Sequence, residues 1–177
     1  MQKFAVIVAG GSGSRMGGEL PKQFLPLAGK PILMHTLNVF QAYDSKMKLI
    51  LVLPDQQISL WKSLCVEHDF QVEHTVTAGG KERFNSVKNG LSKIDEDGIV
   101  FIHDGVRPLV SHDTLKRCEI AAAENGNAIP VLPATESIRK TEGDGNVAVD
   151  RSLYFLVQTP QTFKVSEIKK AYEQEFV

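Results

Sequence analysis

Residues 9–22 read AGGSGSRMGGELPK, directly after the apolar run FAVIV at 4–8. A glycine-rich turn after a buried strand is where an α/β sheet presents backbone N–H groups to phosphate. Arg15 and Lys22 add two cations to that concave backbone, the composition a triphosphate requires. Arginine grips phosphate through paired hydrogen bonds, and lysine acts as a mobile point charge. Two widespread phosphate loops do not fit. The dinucleotide pattern G-x-G-x-x-G meets Met16 where its third glycine belongs, and no acidic residue stands near position 33 for a ribose. The pattern G-x-x-x-x-G-K is met at Gly13 and Gly18, but Glu19 replaces the lysine.

A second glycine turn, Gly79-Gly80, precedes a helical stripe, with Arg83 and Ser86 in the first turns of that helix. Such a helix start favours anionic or polar ligand atoms. Asp104 follows the apolar run IVFI at 99–102. Ligands of open α/β sheets bind beyond the carboxyl ends of the strands, and a carboxylate facing a triphosphate there needs a metal ion between them. The alternative for Asp104 is an ion pair with Arg107. His103 has no second histidine at zinc-site spacing and is expected to be structural. Cys65 and Cys118 lie on apolar stripes and are expected to be inert core residues.

The elements that must hold these groups alternate in period. Continuous apolar runs at 4–8, 49–53, 99–102 and 128–132 predict strands buried on both faces of a parallel sheet. Residues 71–76 predict a weaker strand. Leu33, Leu37 and Phe40 form one helical stripe; Ile58, Trp61 and Leu64 a second; Phe84, Val87, Leu91 and Ile94 a third. Residues 112–124 predict a helix closed at Gly126, and Val165, Ile168 and Tyr172 begin a last one. This order predicts an α/β fold with an open sheet and right-handed crossovers. Residues 134–150 break the rhythm and predict a polar hairpin around Gly143–Asn146. With Ile138, Val147 and Val149 as its apolar residues, it is marginal alone and must lie on the sheet or on another subunit.

The 177 residues predict one domain, 1–177, at roughly 150 residues per domain. The 20 Lys+Arg against 21 Asp+Glu exclude attachment to nucleic acid or membrane by bulk charge. Two cysteines without a CxxC argue against a disulfide scaffold or structural zinc and fit a reducing compartment. No apolar run approaches the roughly 18 residues of a membrane span, so a cytoplasmic location is expected.

The run A-G-G-x-G-x-R-M at 9–16, followed by P-K-Q-F-L at 21–25, resembles the signature of nucleotidyltransferases that activate sugar or polyol phosphates. Among them the chain is most similar to the 2-C-methyl-D-erythritol 4-phosphate cytidylyltransferase family. The resemblance continues through Gly79–Val87 (GGKERFNSV), His103–Pro108 (HDGVRP) and Thr159–Phe163 (TPQTF). It implies a Rossmann-like nucleotidyltransferase domain, a mostly parallel central sheet flanked by helices, with a protruding β-hairpin arm at about 134–151. It implies cytidylyl transfer from CTP to the polyol phosphate, release of pyrophosphate, Mg²⁺ as cofactor, and a place in non-mevalonate isoprenoid formation.

By the same resemblance, Ala9, Gly10, Gly11, Gly13, Arg15, Lys22, Gly80, Arg83, Ser86, Asp104 and Gly105 line the nucleotide site. Asp104 holds the metal. Arg15, Lys22 and Arg151 are catalytic, and Arg107, Ser137, Arg151 and Thr159 bind the polyol phosphate. The family is a homodimer whose arm reaches the other subunit. The chain departs from the family's commoner pattern at Gly105-Val106, where alanines are usual, and at Ser137, where threonine is usual. The family's domain also continues beyond the position of Val177, so its C-terminal end is expected to be missing here. Ribitol-5-phosphate cytidylyltransferases share the same loops. A non-catalytic nucleotide-binding module would keep the glycine turns without needing Arg15, Lys22 and Asp104 together.

Overall fold

In the computed structural model, which describes residues 1–10 and 20–174, alternate side chains of β1 (Lys3–Val8) enter different cores. Ala5 and Ile7 join one apolar cluster; Phe4 and Val6 join the other. A strand buried on both faces has no solvent side to mark with polar residues, hence the continuous FAVIV. The chain continues through a short pair, β2 (Pro26–Leu27) and β3 (Lys30–Pro31), then α1 (Ile32–Tyr43), β4 (Lys48–Leu53), α2 (Ile58–Glu67), β5 (Thr75–Ala78), α3 (Arg83–Leu91) and β6 (Ile99–Asp104). There follow α4 (His112–Asn125), β7 (Asn127–Ala128), β8 (Val131–Pro133), β9 (Arg139–Glu142), β10 (Gly145–Ala148), β11 (Phe155–Val157), β12 (Gln161–Lys164) and α5 (Val165–Ala171).

The main sheet has the order β5-β4-β1-β6-β12-β7. β5, β4, β1 and β6 are mutually parallel, and β12 runs antiparallel to both β6 and β7. One face is covered by Leu33, Met34, Leu37 and Phe40 of α1, Trp61 of α2, and Leu115, Cys118 and Ala122 of α4. The opposite face is covered by Val87 and Leu91 of α3, by Ile94, and by Val165 and Ile168 of α5. Helices on both faces of a mostly parallel sheet are the α/β architecture expected. Gly90 brings α3 directly onto the sheet: a Cβ there would stand 2.5 Å from a Val6 methyl. Among the described residues, no helix is long and apolar enough to cross a membrane.

Three local expectations need correction. Residues 128–132 do not form one buried strand. Pro130 has no N–H to give a ladder, so the run divides into β7, at the sheet edge, and β8, which pairs with β11 outside the main sheet. Val131 and Leu132 are exposed. The weak strand lies at 75–78 rather than 71–76. β12, beside the central β6, has no apolar run to mark it as a strand, because QTFK carries one large apolar residue. The hairpin exists as β9 paired with β10, both exposed, and Gly143 at φ 56° supplies the left-handed position of its two-residue turn.

Candidate active site

The four parallel strands end at one edge, and each delivers a chemically equipped turn. β1 leads to Ala9-Gly10, β4 to residues 54–57, β5 to Gly79-Gly80 and β6 to Asp104-Gly105. Backbone bonds draw these turns together: Ala9 N donates to Val52 O (2.9 Å), Gly79 N to Leu53 O (2.7 Å) and Gly105 N to Val8 O (2.9 Å). Gly10, Asp55, Gln57, Gly79, Gly80 and Ser86 line a cleft of about 470 Å³ at this edge. Ser86 is buried, and its Oγ accepts from Gly80 N at 3.1 Å. A Cβ at Gly79 would stand 2.9 Å from that Oγ, so the close approach needs glycine. Glu82 N donates to Asn85 Oδ1 at 3.2 Å, which helps begin α3 beside the cleft.

Asp104 stands at the end of β6 between two guanidinium groups. Arg107 Nε donates to one carboxylate oxygen at 2.9 Å, and Arg83 Nη2 lies 3.5 Å from the other. The pair with Arg107 foreseen as the alternative is therefore formed. Arg107 Nη1 also donates to Gln158 Oε1 at 2.8 Å, and Asp104 N donates to Thr159 Oγ1 at 3.5 Å. Arg83, Asp104, Arg107 and Thr159, distant in sequence, form one polar cluster beside the cleft.

Lys22 is exposed on a short 3-10 turn, Lys22–Phe24, whose next two residues are buried. Gly105 is fixed from α1, where the buried Thr36 Oγ1 donates to Gly105 O at 2.8 Å. Gly11, Gly13 and Arg15 lie outside the described residues. Arg151, in a turn after β10, donates to Thr135 O at 2.5 Å; Ser137 is exposed on the approach to β9. Among the described residues, neither bonds to the Asp104 cluster.

His103 is fully buried, meets the Phe40 ring edge-on at 5.0 Å between centroids, and donates from Nε2 to Arg107 O at 3.0 Å. Burial pushes its pKa down to about 4, and Nδ1 has no partner. It is a neutral structural group. Burial raises both thiols, Cys65 to about 11; Cys118 lies in the core as expected, whereas Cys65 is half-buried against it. Gln23, Thr36, Gln57 and Gln158 were not anticipated as site residues. Each is a polar side chain whose partner or cleft neighbours lie far along the chain, so no local spacing announces it.

The described residues contain no group of three or more His, Cys, Asp or Glu arranged for a metal. Asp104 alone fits Mg²⁺, which binds proteins through one or two carboxylates and takes its other ligands from substrate phosphate and water. Its side chain is 29 % exposed, and its two partners, Arg83 and Arg107, are themselves exposed cations.

Glycine turns and an acidic strand end meet at the carboxyl edge of this sheet, where open α/β folds receive nucleotide phosphates, and family membership gives the class, a nucleotidyltransferase. The profile of the 2-C-methyl-D-erythritol 4-phosphate cytidylyltransferase family matches residues 3–176, and the chain belongs to that family. A 2-C-methyl-D-erythritol 4-phosphate cytidylyltransferase from Bacteroides thetaiotaomicron is 51 % identical over 176 residues, covering 99 % of this chain and 80 % of its own length. One from Porphyromonas gingivalis is 50 % identical over 175 residues, covering 99 % of this chain and 78 % of its own length. Among solved structures, the Francisella tularensis enzyme of that name superposes with a TM-score of 0.77 at 31 % identity, covering 98 % of this chain and 77 % of its own.

Proposed function

We propose a division of labour for these residues in the family's reaction. The chain transfers a cytidylyl group from CTP to 2-C-methyl-D-erythritol 4-phosphate, giving 4-diphosphocytidyl-2-C-methyl-D-erythritol and pyrophosphate in non-mevalonate isoprenoid formation. The observation that carries the assignment of roles is the convergence of Gly10, Gly79-Gly80, Ser86 and Asp104 at one edge of the sheet. CTP is bound by Ala9, Gly10, Gly11, Gly13 and Gly80, with Arg83, Ser86, Asp104 and Gly105 beside it. Asp104 would hold Mg²⁺, and the ion bound there would supply positive charge to the triphosphate.

The attacking phosphate monoester has a second pKa near 6 and is already nucleophilic at pH 7, so no histidine base is needed. Attack on the α-phosphorus is in line, without a covalent enzyme intermediate, and catalysis is positioning plus charge stabilisation. Arg15 and Lys22 neutralise charge on the five-coordinate phosphorus. Arg151 orients the attacking phosphate, with Arg107, Ser137 and Thr159 around the polyol. Family membership favours methylerythritol phosphate over ribitol 5-phosphate and over a non-catalytic module.

The whole chain, 1–177, acts as one nucleotidyltransferase domain and assembles as a homodimer through its arm. The support is the ribbon of β8 and β11 at the arm's base: Leu132, Phe155, Leu156 and Val157 are each more than half exposed on a two-stranded pair that is marginal alone. A cytoplasmic location fits the free Cys65 and Cys118. The test is steady-state pyrophosphate release. Arg15→Ala and Lys22→Ala are each expected to lower kcat by about 10²–10³ with a smaller effect on CTP binding. A raised KM for CTP at unchanged kcat would assign the side chain to ground-state binding instead.

A further inference from the structure

We propose that Gln23 is a positioning residue of this reaction, its buried amide setting where Lys22 stands against the turn after β1 and the cleft wall at Gln57. This rests on the role given to Lys22 above. Gln23 is 2 % exposed, and its Nε2 donates both to Ala9 O (3.0 Å) and to Gln57 Oε1 (2.6 Å). A backbone carbonyl only accepts, so Ala9 dictates that the amide nitrogen points to it. That nitrogen's second N–H then requires Gln57 to present its oxygen. One side chain thereby ties three segments: the end of β1, the turn that carries Lys22, and the residue before α2 that lines the cleft.

The rest of the turn is pinned as firmly. Phe24 is 2 % exposed and stacks on Trp61 with ring centroids 6.2 Å apart. Trp61 Nε1 in turn donates to His74 Nε2 at 2.9 Å. Phe24 N donates to Pro21 O (2.9 Å) and Leu25 N to Lys22 O (3.2 Å). Within this turn Lys22 alone is exposed, a long flexible cation on a backbone held on both sides. Packing alone would be served by a methionine of similar length. A buried amide with both N–H groups engaged is costly to leave unpaired and specifies one geometry. A misplacement of about 1 Å at a charge-stabilising group costs on the order of 10² in rate.

The experiment is a double-mutant cycle on kcat for pyrophosphate release, with wild type, Lys22→Ala, Gln23→Met and the double variant. Gln23→Met keeps length and apolar bulk and removes both donors. It is expected to lower kcat about 10- to 100-fold with little change in KM for CTP, and to lower it no more than about 3-fold when Lys22 is already alanine. The fluorescence of Trp61, the chain's one tryptophan, reports whether the turn still packs. If Gln23→Met does not fold, Gln57→Leu removes one of the two partners and enters the same cycle with a smaller expected effect. Equal losses in both backgrounds, or an unchanged kcat in a folded Gln23→Met protein, overturn the positioning role. An unimpaired Lys22→Ala enzyme instead overturns the role of Lys22 itself.

Discussion

Thr36→Val separates hydrogen bonding from packing at the base of the site. Thr36 lies within α1 with no exposed surface, and its hydroxyl donates to Gly105 O at 2.8 Å, directly after Asp104. Valine keeps the shape and the β-branch but offers a methyl where the donor stood. The Gly105 carbonyl is then buried without that partner, a loss of about 1–3 kcal/mol. Thr36→Ser keeps the donor and removes a methyl, a loss of about 1 kcal/mol for a small core deletion. The expected order of stability is wild type, then Ser, then Val. Guanidinium denaturation measures it, with a fall in melting temperature of roughly 2–4 °C per kcal/mol as a check. An account based on apolar burial alone places the Val variant above wild type and the Ser variant below it. A Val variant as stable as the Ser variant refutes the hydrogen-bond reasoning.

Burial holds the His103 pKa at about 4 against 6.5 in the unfolded chain, so its contribution is whole above about pH 6.5 and is lost as pH falls toward 4. The loss is on the order of 2–3 kcal/mol by pH 4.5. His103→Gln, compared with wild type by denaturation in metal-free buffer, should be correspondingly less sensitive to acid; parallel pH slopes contradict this. Asp104→Asn should abolish the Mg²⁺ dependence of CTP affinity in calorimetric titrations, and an unchanged dependence would leave Asp104 only the ion pairs with Arg83 and Arg107. Mixing inactive Arg151→Ala and Lys22→Ala proteins should restore activity to roughly a quarter of the sites if the arm serves its neighbour. No recovery after demonstrated subunit exchange would place Arg151 in its own chain's site.

The fold was legible wherever burial was two-sided or striped. FAVIV, LILVL and IVFI are continuous apolar runs and became β1, β4 and β6; Leu33, Leu37 and Phe40 became the buried face of α1. It was not legible where pairing, rather than composition, decides. β12 carries little apolar bulk yet lies beside β6, and AIPVL is apolar yet interrupted by a proline and largely exposed. At the site, Gly80, Arg83, Ser86 and Asp104 were legible because each follows the end of a strand or begins a helix. Gln23, Thr36, Gln57 and Gln158 were not. Their contacts cross 14 to 69 residues of sequence, and only the folded sheet brings those segments together.

The most direct measurement is pyrophosphate release from CTP with 2-C-methyl-D-erythritol 4-phosphate and, separately, with ribitol 5-phosphate. The account predicts release that requires the polyol phosphate and yields one pyrophosphate per 4-diphosphocytidyl-2-C-methyl-D-erythritol formed. It predicts a kcat/KM about tenfold or more higher for the branched substrate, the scale a recognised methyl group provides. Equal or greater efficiency with ribitol 5-phosphate, or CTP binding without release of pyrophosphate, would contradict it.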